Sequence, residues 1–153
     1  MIQFEHEWLN GTVSLGAVAG WTADEIRLVS ELGYALAKQG LNREAIVIFE
    51  GLMVLAPATT YFEAALGALW LREDDPARAL PYLSNAVAAD LKDFASRTNR
   101  GEVYLKLEDF EAARTDLKFV LRQKKSAEPN VLNQQTFVRA RALLLAVERF
   151  SQS

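Results

Sequence analysis

Gly33, Gly67 and Gly101 stand 34 residues apart, and this spacing constrains the fold more than any other feature of the chain. Ala45, Ala79 and Ala113 keep the same interval, as do Phe49, Leu83 and Leu117. Two further registers hold Leu36, Trp70 and Tyr104, and Leu52, Ala86 and Val120. Only eight glycines occur in 153 residues, so a triple of Gly in step with a triple of Ala is not a chance arrangement. A fixed period of this kind marks stacked supersecondary units. Glycine inside a helix costs about 1 kcal/mol against alanine, so it asks for a compensating contact. Close packing supplies one, because a second helix comes near only where no side chain intervenes. The alanines are then the matching small residues on that second helix, and the large residues fill the space around the contact.

Thirty-four residues is the tetratricopeptide period, in which each unit is two antiparallel helices, A and B, joined by a tight turn. The expected fold is all-α: a right-handed superhelix of three repeats forming a single domain. The repeats are 26–59, 60–93 and 94–127, preceded by an N-terminal segment, 1–21, and followed by a capping helix, 130–150. Repeat one reads Leu32-Gly33, Gly40 at the turn, Ala45, Phe49 and then Pro57, which stops helix B. Repeat two keeps Leu66-Gly67, Trp70, Ala79 and Ala86, with Asp74-Asp75-Pro76 at its turn. Repeat three keeps Gly101, Tyr104, Ala113 and Leu117, but Arg100 replaces the apolar residue before the glycine and the closing proline is missing. Thr22-Ala23-Asp24-Glu25 spells a capping box for the first helix A. Short helices are expected near 3–9 and 13–19. A basic connector, 122–130, leads to the last helix. There Phe137, Ala140, Leu144 and Val147 recur at spacings of three and four, predicting one apolar face that covers the end of the stack and one polar face toward water.

Composition narrows the function. A net charge of −3 argues against nucleic acid, which asks for a clustered basic face. The absence of cysteine excludes disulfides, thiolate metal sites and thiol catalysis. The first Lys or Arg is Arg27, so no secretory signal peptide is expected. The apolar stretch 12–21 contains glycines and falls short of the roughly 20 residues that a bilayer requires. The chain is expected to be soluble and cytoplasmic. His6 is the single histidine, and its neighbours Glu5 and Glu7 would point away from it on a helix, so no metal is expected. No phosphate loop, Ser/His/Asp set or isolated carboxylate pair is present, so neither catalysis nor a cofactor is expected. The run Arg122, Lys124, Lys125 reads as a solvated loop.

Stacked A–B pairs curve so that helix A lines the concave side. With the glycine at helix position 8, the groove-facing residues of repeat one are Arg27, Ser30, Tyr34 and Ala37. Repeat two contributes Tyr61, Ala64, Ala68 and Leu71, and repeat three Ala95, Thr98, Glu102 and Leu105. Such a small, apolar groove with two tyrosines suits a protein segment with apolar anchors. Tyr34 and Ala68 stand where tetratricopeptide proteins that bind acidic chaperone tails carry members of a carboxylate clamp, so that clamp is not expected.

Over about 14–121 the chain resembles a narrower family, the class II chaperones of bacterial type III secretion. The match runs through the Thr22–Glu25 start, Leu32-Gly33-Tyr34, Gly40, Ala45, the run from Phe49 through Leu52 to Leu55, Tyr61-Phe62 and Leu66-Gly67-Ala68. The sequence departs from that family at Ser30 and Ala37, where large rings are common. The resemblance implies a cytoplasmic chaperone that holds a segment of a secreted translocator in its groove. It also implies self-association through the N-terminal segment. The other reading open from the residues is a general repeat scaffold or adaptor subunit of another complex.

Overall fold

Among the described residues, 19–153, this computed structural model has seven α-helices and no strand. They are α1 (Ala23–Lys38), α2 (Asn42–Leu55), α3 (Thr60–Arg72), α4 (Pro76–Ala89), α5 (Phe94–Lys106), α6 (Phe110–Arg122) and α7 (Val131–Phe150), with a 3-10 turn at Gln123–Lys125. The helix expected near 3–9, most of that near 13–19, and His6 lie outside the described residues. Helices α1 to α6 are the three A–B pairs, and each pair packs on the next.

One hydrogen-bonding pattern makes all three A–B turns. The N–H of Leu41 donates to the carbonyl of Leu36, that of Asp75 to Trp70 and that of Asp109 to Tyr104, at 3.0, 2.9 and 2.9 Å. Inside each, the N–H of Gly40, Asp74 or Glu108 donates to the carbonyl three residues back, at 3.1 Å. These paired bonds form the Schellman end, which needs a left-handed residue. Gly40, Asp74 and Glu108 take that place, with φ of +81, +58 and +61°. The repeat therefore extends to backbone conformation, and only repeat one uses the residue that adopts it without strain.

Helix starts are fixed as locally. The Glu25 N–H donates to Thr22 Oγ1 at 3.2 Å, and the Thr22 N–H donates to Glu25 Oε2 at 2.8 Å, closing the expected capping box. That backbone donor holds the Glu25 carboxyl below its usual range. Asp75, Asp93, Asp109 and Asn130 cap α4, α5, α6 and α7 with their side chains.

The glycines stand where helix B crosses helix A. A Cβ on Gly67 would lie 2.5 Å from Leu83 Cγ, and one on Gly101 2.8 Å from Leu117 Cδ2. On Gly33 it would meet Phe49 Cζ at 2.9 Å. Phe49, Leu83 and Leu117 are fully buried, as are Ala45, Ala79 and Ala113. The core is a chain of linked clusters. Phe49 and Leu52 meet Phe62 and Leu66 of the next repeat, Leu83 meets Val103, and Leu117 and Val120 meet Phe137 and Ala140 of α7.

Repeat three replaces part of its apolar contact with charge. Arg100 Nε and Nη2 donate to Asp116 Oδ2 and Oδ1 at 2.6 and 2.8 Å, a bidentate pair, and Asp116 is only 2% exposed. Arg97 approaches Asp116 Oδ1 at 3.5 Å and lays its guanidinium 3.9 Å from the centre of the Phe119 ring. The equivalent pair in repeat two is Leu66 and Tyr82. Thus the arginine that breaks the apolar pattern before the glycine is not surface drift, because it meets a buried carboxylate.

The buried face of α7 is the expected one, with Phe137, Ala140 and Val147 covered. Its opposite face is not the polar surface that the pattern predicted. Val131, Val138 and Leu145 are 69, 72 and 65% exposed there, at intervals of seven residues. One residue in seven is a weaker pattern than the three-and-four spacing of the covering stripe, and polar neighbours obscure it in the sequence.

Two sets of variants test this account by chemical denaturation. Gly67→Ala is expected to destabilise the protein by about 1–3 kcal/mol through overpacking against Leu83, despite alanine's better helix propensity. Glu108→Gly is expected to stabilise it by up to about 1 kcal/mol by relieving the left-handed strain. Asp116→Ala should cost about 3–5 kcal/mol because it leaves two arginines without their acceptor, whereas Arg100→Leu/Asp116→Tyr, which copies repeat two, should recover most of that. If the double variant is as unstable as Asp116→Ala, the pair is not a substitute for apolar packing.

Candidate functional site

The groove wall is built from the A helices, and its best-defined part joins repeats one and two. Tyr34 on α1 packs edge-on to Phe49, with ring centres 4.8 Å apart and planes at 62°. Tyr61 on α3 lies 5.4 Å from Tyr34 and is 61% exposed, so the pair forms an aromatic step with its inner ring anchored and its outer ring free. Ala64 and Ala68 continue along α3 half-buried, presenting little more than backbone and methyl groups. Burial, then the neighbouring Tyr61 hydroxyl, pushes the Tyr34 phenol well above the ordinary tyrosine range. Burial and the carboxylates of Glu50 and Glu63 do the same, more weakly, to Tyr82.

The other sequence-predicted groove residues divide into four kinds. Arg27 is exposed but engaged locally, 2.8 Å from Glu31 and 3.5 Å from Asp24, and Ser30 Oγ donates to the Arg27 carbonyl. Leu71 and Thr98 are buried, with the Thr98 hydroxyl donating to the Phe94 carbonyl at 2.8 Å. Ala37, Ala95 and Leu105 are half-buried. Glu102 is bound by Arg139 of α7, which also donates to Asn99 Oδ1 at 2.6 Å. The structure therefore gathers Tyr34, Tyr61, Ala64 and Ala68 into one accessible surface, while the repeat-three positions are largely spoken for.

Several residues that shape the groove went unread in the sequence. Arg72 Nη2 donates to the Ala37 carbonyl at 2.9 Å and ties the end of α1 to α3. Glu73 accepts from Asn42 Nδ2 at 2.9 Å and Arg43 Nε at 3.0 Å, and these donors hold its carboxyl below the usual range. Lys106 Nζ lies 2.8 Å from Asp74 Oδ1, lowering that carboxyl likewise. These links join one repeat to the next along the edge where the A–B turns lie. Their spacings of 30 to 35 residues are the only sequence signal for them. Among the described residues no three His, Cys, Asp or Glu side chains converge as a metal site requires, and no helix is long and apolar enough to cross a membrane.

Helix pairs in register and small residues at each crossing together define a tetratricopeptide-type solenoid. Solved structures share this fold. A type III secretion system complex from Aeromonas hydrophila superposes with a TM-score of 0.82 at 20% identity, over 99% of this chain and 99% of that one. The Yersinia enterocolitica type III secretion chaperone SycD, in complex with a peptide of the translocator YopD, gives 0.73 at 19% identity over 85% and 97%. The first tetratricopeptide domain of Spaghetti (RPAP3), bound to a peptide of the chaperone HSP90, gives 0.72 at 21% over 86% and 97%. No protein-family model matches the sequence, and no curated protein does.

The aromatic step makes a pH-dependent prediction. A phenol whose pKa is raised by folding contributes stability that is complete below the unfolded value near 10 and is lost as pH rises through the folded value. Tyr34 and Tyr82 should ionise above the ordinary tyrosine range in an absorbance titration, and unfolding free energy should fall above about pH 10. Tyr34→Phe should flatten that fall. A fall as steep in Tyr34→Phe as in wild type would contradict the assignment.

Proposed function

We propose that this chain is a non-catalytic chaperone of the cytoplasm that holds an extended segment of a secreted or translocator protein in its concave groove. The observation that carries the reading is the Tyr34–Tyr61 step beside Ala64 and Ala68. It offers one rigid, amphipathic ring of large area above a wall that lets a bound backbone come close. A partner segment with an apolar side chain would seat that side chain on Tyr61 and run its backbone along the alanines. Such binding would mask the partner's apolar surface and needs neither nucleotide nor turnover. The bound states of the similar structures, a translocator peptide in one and a chaperone peptide in another, support a peptide as occupant.

The test is affinity purification of the tagged protein from its own cells, comparing wild type with Tyr61→Ala. Tyr61 is chosen because it is exposed, whereas Tyr34→Ala would also loosen the core around Phe49. A single exported partner should be recovered and its affinity should fall at least about tenfold in the variant, as for an interface aromatic. A multi-protein assembly unaffected by Tyr61→Ala would instead establish an adaptor that binds through its convex face or its ends.

A further inference from the structure

Helix α7 is the last helix among the described residues, and its register is that of a helix A with no helix B packed on it there. Counting from each N-cap (Thr59, Asp93, Asn130) brings the three helices into line. Seven residues on stand Leu66, Arg100 and Phe137, and ten on stand Leu69, Val103 and Ala140. Leu66 and Leu69 join the core shared with repeat one, Val103 that shared with repeat two, and Phe137 and Ala140 that shared with repeat three, whereas Arg100 turns to Asp116 of its own helix B. Eight residues on stand Gly67, Gly101 and Val138. The two glycines receive Leu83 and Leu117 of their own helix B, whereas Val138, 72% exposed, is the most exposed large apolar side chain among the described residues.

Val131 and Leu145 lie one heptad before and after Val138, with the exposed Ala142 between. On a helix that makes a narrow seam opposite the buried face, of the width that a single partner helix covers. Charge gives the partner a sign. Arg141 and Arg149 flank the seam and are in no ion pair among the described residues. The acid of α7, Glu148, is held by Arg114, which also binds Glu111. A second copy of this seam would bring its own Arg141 and Arg149 against these two, and like charges across an interface disfavour that pairing.

We infer that the outer face of α7 is a docking site for an amphipathic helix of another protein, one with a narrow apolar seam and acidic flanks, which takes the place of a fourth helix B. Val138 stands where the other A helices have glycine, so the incoming helix carries a small residue at the crossing. The site lies away from the Tyr34–Tyr61 step and does not depend on what the groove holds.

Fluorescence anisotropy with designed helical 20-residue peptides and the full chain tests it. The first peptide has a Leu seam with Ala at its centre and Glu on both flanks. The second has Lys on the flanks, and the third has Leu in place of the central Ala. The first should bind, more weakly as salt rises, and the other two should bind at least tenfold more weakly. Val138→Ser/Leu145→Ser should raise the dissociation constant for the first at least tenfold with the melting temperature within about 3 °C of wild type, since both residues are exposed. Tyr61→Ala should leave it unchanged. Absence of binding, or binding lost in Tyr61→Ala but kept in the serine variant, would overturn the proposal. A dimer in sedimentation equilibrium that the serine variant dissociates would overturn it too, because a second copy would then be the occupant.

Discussion

The closest approach of helix B to helix A, at one residue in each repeat, is the constraint on which the rest of this structure depends. At Gly67 a single added carbon would sit 2.5 Å from Leu83, inside any tolerable contact. Closeness there lets Leu83 sink fully into the pair and brings the two helix axes near enough for Ala79 to be buried as well. It also sets the angle at which each pair offers its edge to the next, so that Phe62 and Leu66 reach the cluster around Phe49 and Leu52. The superhelix is the accumulation of that one crossing. Because each cluster involves neighbours only, stability is local and each repeat can differ from the next.

The periodic features were legible because each repeats the same physical requirement. Glycine at the crossing, alanine opposite it and a large apolar residue beside it all recur at 34 residues. The Thr22–Glu25 capping box was legible because its two hydrogen bonds are local. The Arg100–Asp116 pair was not. Its partners are 16 residues apart, and an arginine in an apolar register reads alone as decay of the repeat. The helix-A character of α7 was hidden by a change of register. Eight residues, 123–130, link α6 to α7, against four at 56–59 and 90–93. Adding 34 to Gly101 therefore lands on Gln135, while the residue that stands at the crossing position is Val138. Of the proposed groove, the two tyrosines were identifiable by position. That Thr98 and Leu71 would be buried depends on packing between repeats, which the period does not specify.

Among the described residues, 19–153, the two ends of the solenoid present different surfaces. Phe62 and Leu66 of α3 are buried against repeat one, while their counterparts in α1, Leu28 and Leu32, are exposed. At the other end the face that should meet a helix B carries Val138 and Leu145. The two ends differ in kind. The first presents the surface that a helix A turns toward the preceding repeat, and the second the surface it turns toward its own helix B. One kind of partner cannot serve both.

Charge divides the molecule along its length. In repeats one and two the A helices meet through aromatic and aliphatic contacts, with polar links at the turn edge and one, Asn85 to Glu63, at the opposite end of the pair. From α5 onward, charged pairs connect the helices themselves: Arg100 with Asp116, Arg139 with Glu102, Arg114 with Glu148. An apolar contact tolerates small shifts of one surface over another, but a bidentate arginine–carboxylate pair holds both distance and direction. The C-terminal half is thereby held in one geometry, while the contacts between repeats one and two leave more freedom. The aromatic step there has one ring anchored on Phe49 and the other open to solvent, so the crossing at Gly33 does not depend on Tyr61.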